Sequence, residues 1–473
     1  MRLTAMAKKG TPKGAIRFEV PFTSEPPQFT STAVGLERLV RRPSASFVMD
    51  STIIDAPDGR LLRAGVVVAH RVVAGAGQWY LAAPAWEPHL PSEQAEPVSG
   101  SGDLPERFAR LVKPFVRGAT LGPIAAMTCE RDEWFLRDAD NATAAIVRDD
   151  KVQVRRDGVL SAEYREVTFT PSEALTGQQR EFLLSAAQAG GSTLVTDFPH
   201  LQQRLGAPAT GLTGFPKPRE LWRDASLEEF VAAIFAGHLG HIVRADLDRR
   251  TGNPDEVGAL NHRLWEFGRD LRGLATVLEP AWRESVESVL TGLPFASAMD
   301  IEQPTLHAID ALVTGARAPR LGDLSHQPAA KLLFERTEQA TFILADRCRS
   351  LTPASPDEAW QAALRAAEQL EVAANVLAPM MPKMMGKMLR TLDEVLDELR
   401  RASKGLRSGT PELDGLSPSQ AYQLGLDYER TRGGAALRRR DFIQRWPERV
   451  AEARKLLAKA KKKQAKQLKK PTS

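Results

Sequence analysis

Residues 261–278 read NHRLWEFGRDLRGLATVL, with Leu264, Phe267, Leu271, Leu274 and Leu278 at alternating steps of three and four, and Leu260 extends the stripe backward. That spacing predicts an amphipathic helix. At about 100° per residue, His262, Trp265, Arg269 and Arg272 share the opposite face. One side enters a core while the other offers an imidazole, an indole and two guanidiniums. A helix is also predicted from Ser226, where Leu227, Phe230, Val231, Ile234, Phe235, Leu239 and Ile242 form the stripe. Ser226 followed three residues later by Glu229 is a capping-box pattern. Met384, Met388, Leu392, Val395 and Leu399 continue a core stripe. The methionines between 380 and 388 therefore read as gap-filling core rather than a metal or groove site.

The first half of the chain has a different rhythm. AIRFEVPF from Ala15, ASFVMDSTII, AGVVVAHRVV, WYLAAP, ATAAIVR, KVQVRR and AEYREVTFTP are short runs rich in Val, Ile, Phe, Tyr and Thr. DAPDG, AGAG and RRDG punctuate them, and several alternate with period two, so they predict strands and turns. Many short strands at near-regular spacing suggest an antiparallel sheet or barrel. Helical patches interrupt them near 106–116 and 178–189. Residues 207–225, dense in Gly and Pro, read as an extended linker held by Pro216 and Pro218. The expected organisation is a basic, frayed start over 1–14, a β domain over 15–206, that linker, a helical domain over 226–450 and a Lys-rich tail over 451–473.

Composition changes this picture little. A chain of 473 residues exceeds one ordinary core. An apolar share of 42% and a charged share of 26% are those of a globular protein, and a net charge of +5 singles out no partner. Cys129 and Cys348 make neither a disulfide framework nor a zinc site by themselves, which fits a reducing cytoplasm. No signal-peptide stretch and no run of roughly 18 apolar residues is expected. His238 and His241, three apart, lack nearby acids or cysteines in sequence, so no metal pair is expected there. After Glu452 the chain carries nine bases from Arg454 to Lys470 and no acid. Such a run reads as a solvated tail able to hold polyphosphate, nucleic acid or an anionic surface in a salt-sensitive way.

The stretch DAPDGRLLRAGVVVAHR, residues 55–71, with WYLAAP and YREVTFTP following in order, resembles the CYTH family. That resemblance covers about residues 15–206 and implies an antiparallel β tunnel that binds triphosphates. It also implies carboxylates holding Mg or Mn, which bridges phosphate oxygens, opposite a clamp of Lys and Arg. The family's opening Glu-x-Glu-x-Lys maps onto Arg17, Glu19 and Pro21, so only the middle acid is kept. Arg71 and Arg131 match tunnel bases. Ala82 and His200 stand where Lys is expected, and Glu130 and Thr128 replace bases beside Arg131. Ile146 takes an acidic position, and Asp149 or Asp150 matches the next. Glu166 is kept, while Thr168 and Thr170 replace the acids that should share its face. Hydroxyls are weak ligands for a hard divalent cation. Each charge-assisted hydrogen bond lost costs roughly 1.5–3 kcal/mol of binding. The catalytic candidates are thus Glu19 and Glu166, and the metal candidates Glu19, Asp149 and Glu166. Internal ion pairing is the alternative role for Glu19, Arg71, Arg131 and Glu166.

The 261–278 helix resembles the first signature of the CHAD family, an all-α module whose His and Arg residues form a polyphosphate-binding face. The resemblance implies His262, Arg269 and Arg272 as the binding residues, with Trp265 and Asp270 where Arg is usual. In the segment from Leu293, Ser297 and Ala298 replace an expected Arg and Asp, and Asp300 is kept. The helix over 356–379 should be basic, yet it carries Gln361, Leu364, Glu368, Gln369 and Glu371, with Arg365 its one base. Residues 416–446 resemble the closing helices. The expected function is a non-catalytic binding or scaffold protein, a pseudoenzyme of the β tunnel. It would contact inorganic polyphosphate or another polyanion through the helical domain and tail. The alternative is a Mg- or Mn-dependent triphosphate or polyphosphate hydrolase working in the tunnel.

Overall fold

The computed structural model describes residues 14–25, 28–99, 102–222, 224–252, 256–291, 301–403 and 415–467. The expected frayed start before Gly14, the positions Ser297, Ala298 and Asp300, and the tail's last residues, 468–473, lie outside the described residues. Two compact units form, Met1–Phe215 with Val243–Val257, and Pro216–Ile242 with Gly258–Ser473.

In the first unit the strands are β1 (Ile16–Val20), β2 (Arg38–Arg41), β3 (Phe47–Asp55), β4 (Val67–Val73), β5 (Ala76–Ala82), β6 (Glu93–Pro97), β7 (Gly122–Arg137), β8 (Thr143–Arg156), β9 (Val159–Pro171) and β10 (Thr193–Val195). Its helices are α1 (Arg60–Arg63), α2 (Glu106–Val116), α3 (Gly177–Ala189) and α4 (Leu201–Leu205). The sheet is antiparallel throughout, in the order β10-β1-β9-β8-β7-β3-β4-β5-β6, with β2 also on β7. Among the described residues no ladder joins β10 to β6. Leu201, Leu205 and Ala209 instead pack against the face formed by Met49, Ile53, Tyr80, Met127, Val152 and Val154. This side is the inner face of the sheet. The other side buries Phe18, Leu136, Val147, Val167 and Phe169 under Phe29, Leu36, Leu183 and Ala187.

Two local differences from the sequence expectation have physical causes. ATAAIVR and KVQVRR are one continuous strand, β8, because Asp149 and Asp150 between them are both paired rather than solvated. The first part of the expected linker belongs to the first unit. Phe215 lies 5.5 Å from Trp86 and 5.3 Å from Phe115, and that aromatic cluster holds the chain down. The turn at Asp55, Ala56 and Pro57, within the expected DAPDG turn, has a structural purpose. Asp55 is fully buried and accepts N–H bonds from Ala56 (2.6 Å), Leu61 (2.9 Å) and Leu62 (2.9 Å), which start α1. Burial pushes its carboxyl above the usual range, opposed by those three bonds.

The second unit is helical. Its helices follow α5 (Leu227–Thr251), whose last residues belong to the first unit, and are α6 (Glu256–Gly273), α7 (Pro280–Leu290), α8 (Glu302–Gly315), α9 (Ala329–Arg349), α10 (Asp357–Leu377), α11 (Pro382–Ser403) and α12 (Pro418–Gln467). The cap at Ser226 forms as expected: its hydroxyl accepts from the Glu229 N–H at 3.2 Å, and Glu229 accepts the Ser226 N–H at 2.9 Å. By length and composition alone α5 could cross a membrane, but 67% of that window is buried in the protein, as in the core helix of a globular unit. Met385, Met388, Leu392, Val395 and Leu399 are buried along α11, as a core stripe should be. The closing segment is a single helix that continues into the basic tail. Ala435, Phe442, Trp446 and Leu457 are buried along α12, so a stripe persists into the Lys-rich run. Ala, Leu, Lys, Arg and Gln are also strong helix formers. The solvated-tail expectation is corrected to that extent.

Candidate functional site

Residues directly opposite one another in antiparallel strands point to the same side. On the inner face this places Glu19, Glu166, Asp150 and Arg131 in one row across β1, β9, β8 and β7. The adjacent row on the same side is Arg17, Thr168, Arg148 and Glu133. Sequence reasoning named Glu19, Arg131 and Glu166, and the fold brings those three together. Between Asp149 and Asp150 the register decides for Asp150. Asp149 is withdrawn as a metal candidate. It points to the opposite side, where its oxygens accept Arg165 Nε (2.9 Å) and Nη2 (2.5 Å). That guanidinium is buried and also donates to the Ser24 carbonyl.

The acids of the inner row already have cations. Asp150 receives Arg131 Nε at 2.5 Å and Nη2 at 2.9 Å, a bidentate pair, and Arg148 stands 3.3 Å away. Glu19 and Glu166 share one guanidinium, Arg204 of α4, whose Nη2 donates to both, 3.0 Å from Glu166. Arg204 also lies over the Tyr164 ring, 4.2 Å from its centre. Burial pushes the Glu166 carboxyl above the usual range, Arg204 pulls it back, and Asp150 and Glu19 add to the rise. Burial lowers Arg131, but the Asp150 charge and hydrogen bonds outweigh it. The Cys129 thiol, two residues from Arg131 on the same face, is pushed up to about 12 by burial and Asp150. It is not a nucleophile at neutral pH.

Arg71 differs. It is 7% exposed, and no carboxylate lies within ion-pair distance of it among the described residues. Its guanidinium sits 3.2 Å above the centre of the Tyr80 ring, its Nε has no acceptor, and Tyr80 donates to Glu93 at 2.6 Å. Burial lowers its pKa, yet a guanidinium remains charged at neutral pH.

These residues do not fit a divalent metal. A cation held by Glu19, Glu166 and Asp150 would have to displace guanidiniums already bonded to them. Among the described residues no group of three or more His, Cys, Asp or Glu side chains is arranged to hold a metal ion.

In the second unit, α6 presents His262, Trp265 and Arg272 outward. His262 stacks on Trp265 at 5.9 Å and lies 3.5 Å from Glu266. Arg269 stands 5.7 Å from the Trp265 ring centre and bonds Asp270 at 2.7 and 2.8 Å. Asp270 does not stand in the open as a repelling charge. Its other oxygen meets His238 Nε2 at 2.9 Å, so the expectation that His238 lacks a nearby acid is also corrected. Burial raises the Asp270 carboxyl, but the bond and charge of His238 and those of Arg269 outweigh it and hold it below its usual range. At the end of α12, Arg454, Lys455, Lys459, Lys461 and Lys462 are exposed. Lys461 donates to Glu338 at 3.1 Å; the other four have no carboxylate partner among the described residues.

Sequence reasoning missed Arg148, Arg204, Glu133 and Tyr80. Period-two counting back from Asp150 reaches Arg148. Nothing in the sequence marks Arg204, because a five-residue helix positions it against strands more than thirty residues away.

No protein-family model and no curated protein matches the chain. Solved structures do match part of it. A protein from Bacillus halodurans provisionally called an adenylate cyclase is 11% identical, over 34% of this chain and 84% of that one, with a TM-score of 0.19. An adenylyl-cyclase-like protein from Hippeastrum with dominant triphosphatase activity is 13% identical, over 40% and 91%, with a TM-score of 0.23. A third, from Vibrio parahaemolyticus and also provisionally called an adenylate cyclase, is 14% identical, over 40% and 97%, with a TM-score of 0.22. Likenesses at this level carry no argument about the site, which rests on its own residues.

Proposed function

We propose that this chain is a non-catalytic binding protein for a polyanion, with inorganic polyphosphate the fitting ligand. Its first unit is a CYTH-like sheet whose catalytic acids are committed to internal ion pairs, and its second a CHAD-like helical module. The contact surface is the basic end of α12 together with His262, Arg269 and Arg272 of α6. The observation that carries this reading is the end of α12, where Arg454, Lys455, Lys459 and Lys462 are exposed cations without acids among the described residues. Cations of this kind bind a polyphosphate by releasing its counterions, so affinity falls with salt. Both cysteines are buried free thiols, which accords with a cytoplasmic setting.

The test is a titration of the full chain, and of the chain lacking 454–473, with long-chain polyphosphate at two salt concentrations. Binding should be salt-sensitive and mostly lost with the tail. Binding of double-stranded DNA with equal affinity would point to nucleic acid instead. The alternative reading, a metal-dependent hydrolase, has one observation in its favour, the row of Glu19, Glu166 and Asp150. It predicts phosphate release from tripolyphosphate with Mg or Mn, lost on Glu166→Gln. The guanidiniums on those acids weigh against it.

A further inference from the structure

Glu19 and Glu166 are directly opposed on neighbouring strands, and Glu166 feels Asp150 on its other side. Glu166 is largely buried and Glu19 partly open to solvent, and two carboxylates side by side repel unless a positive charge lies between them. Three kinds of cation could supply it: a proton, a metal ion, or a tethered side chain. The structure has the third. One nitrogen of Arg204 donates to an oxygen of each carboxylate, and the guanidinium carbon lies over the Tyr164 ring. α4 is fixed there by Leu201 and Leu205 in the core and by Gln202, whose Nε2 donates to the Leu62 carbonyl at 3.0 Å.

We infer that Arg204 is a built-in substitute for a divalent cation, and that it alone closes the Glu19–Glu166 pair to metal. Two carboxylates completed by water are a sufficient ligand set for Mg or Mn. With Arg204 in place, such an ion would lie against a fixed positive charge. With Arg204 made neutral, the pair loses its fixed cation and is open to one from solution. The inference concerns the inner face alone and does not depend on the polyanion reading.

The experiment uses the full chain with Mn2+ as the probe. Free Mn2+ is followed by its paramagnetic resonance signal and the fold by circular dichroism and thermal unfolding. Wild type should show no Mn2+ site sensitive to Glu166→Gln. Arg204→Gln should bind a single Mn2+ at least about tenfold tighter than wild type, gain thermal stability as Mn2+ is added, and lose both in Arg204→Gln with Glu166→Gln. If Arg204→Gln folds only in millimolar Mn2+, the substitution of one cation for another is supported directly. The inference is overturned if wild type holds one Mn2+ that Glu166→Gln abolishes. It is also overturned if folded Arg204→Gln binds no more Mn2+ than wild type, or if it stays unfolded with Mn2+ present.

Discussion

The inner face of the sheet and the end of α12 both concentrate cations, and they dispose of them in opposite ways. On the sheet, Arg131 has Asp150, and Arg204 has Glu19 and Glu166. Apart from the partly exposed Glu19, these side chains are largely buried, so their charge is committed to holding strands and α4 together. On α12, Arg454, Lys455, Lys459 and Lys462 stand in solvent without acids among the described residues. Exposed ion pairs contribute little to folding, so leaving these cations unmatched costs the fold almost nothing. The contrast separates charge that builds the protein from charge left for a partner.

The largest expected effect comes from breaking a buried pair. Asp149→Ala leaves Arg165 buried with no carboxylate and should destabilise the first unit by about 3–5 kcal/mol in denaturant unfolding. Asp149→Leu combined with Arg165→Met should recover most of that loss, because no charge is then stranded. Next, deleting 454–473 should weaken polyphosphate binding by roughly a hundredfold at low salt and flatten its salt dependence. Unchanged binding would move the contact surface off α12. Smaller still is Arg269→Ala with Arg272→Ala, expected to weaken binding by less than about tenfold, since Asp270 already offsets Arg269. A loss equal to that of the deletion would make α6 the main surface.

The smallest effect is one of pH. The Asp270 carboxyl sits below its ordinary value of 3.8, so the folded state binds its proton less readily than the unfolded chain does. Its contribution is therefore present above about that pH and is lost as pH falls through the lowered folded value. Asp270→Asn should flatten the acid limb of thermal stability measured from neutral pH downward. An unchanged limb would mean the His238 and Arg269 contacts do not act in solution.

The alternation of apolar and polar residues was enough to expect an antiparallel sheet and to align Glu166, Thr168 and Thr170 on one side. It could not choose between Asp149 and Asp150, because neighbours on a strand face opposite ways and only pairing with β7 and β9 fixes which is inside. The stripe of 261–278 placed His262, Trp265 and Arg272 outward correctly. It could not show that Asp270 turns to His238, a contact made across helices. The linker was misjudged at Phe215 for a similar reason. Gly and Pro mark a break in regular structure, not a break in packing, and Phe215 packs against aromatics far away in sequence.

The unbroken run of β8 through two consecutive acids carries its own consequence. Asp149 serves Arg165 on one side and Asp150 serves Arg131 on the other, so a single peptide unit anchors both layers of the first unit. Removing one residue just ahead of Asp149 would move Asp150 into the place of Asp149 and Lys151 into that of Asp150, so Arg165 would keep an acid while Arg131 would face a like charge. This short stretch should therefore tolerate conservative replacement at several positions, yet refuse any change in length.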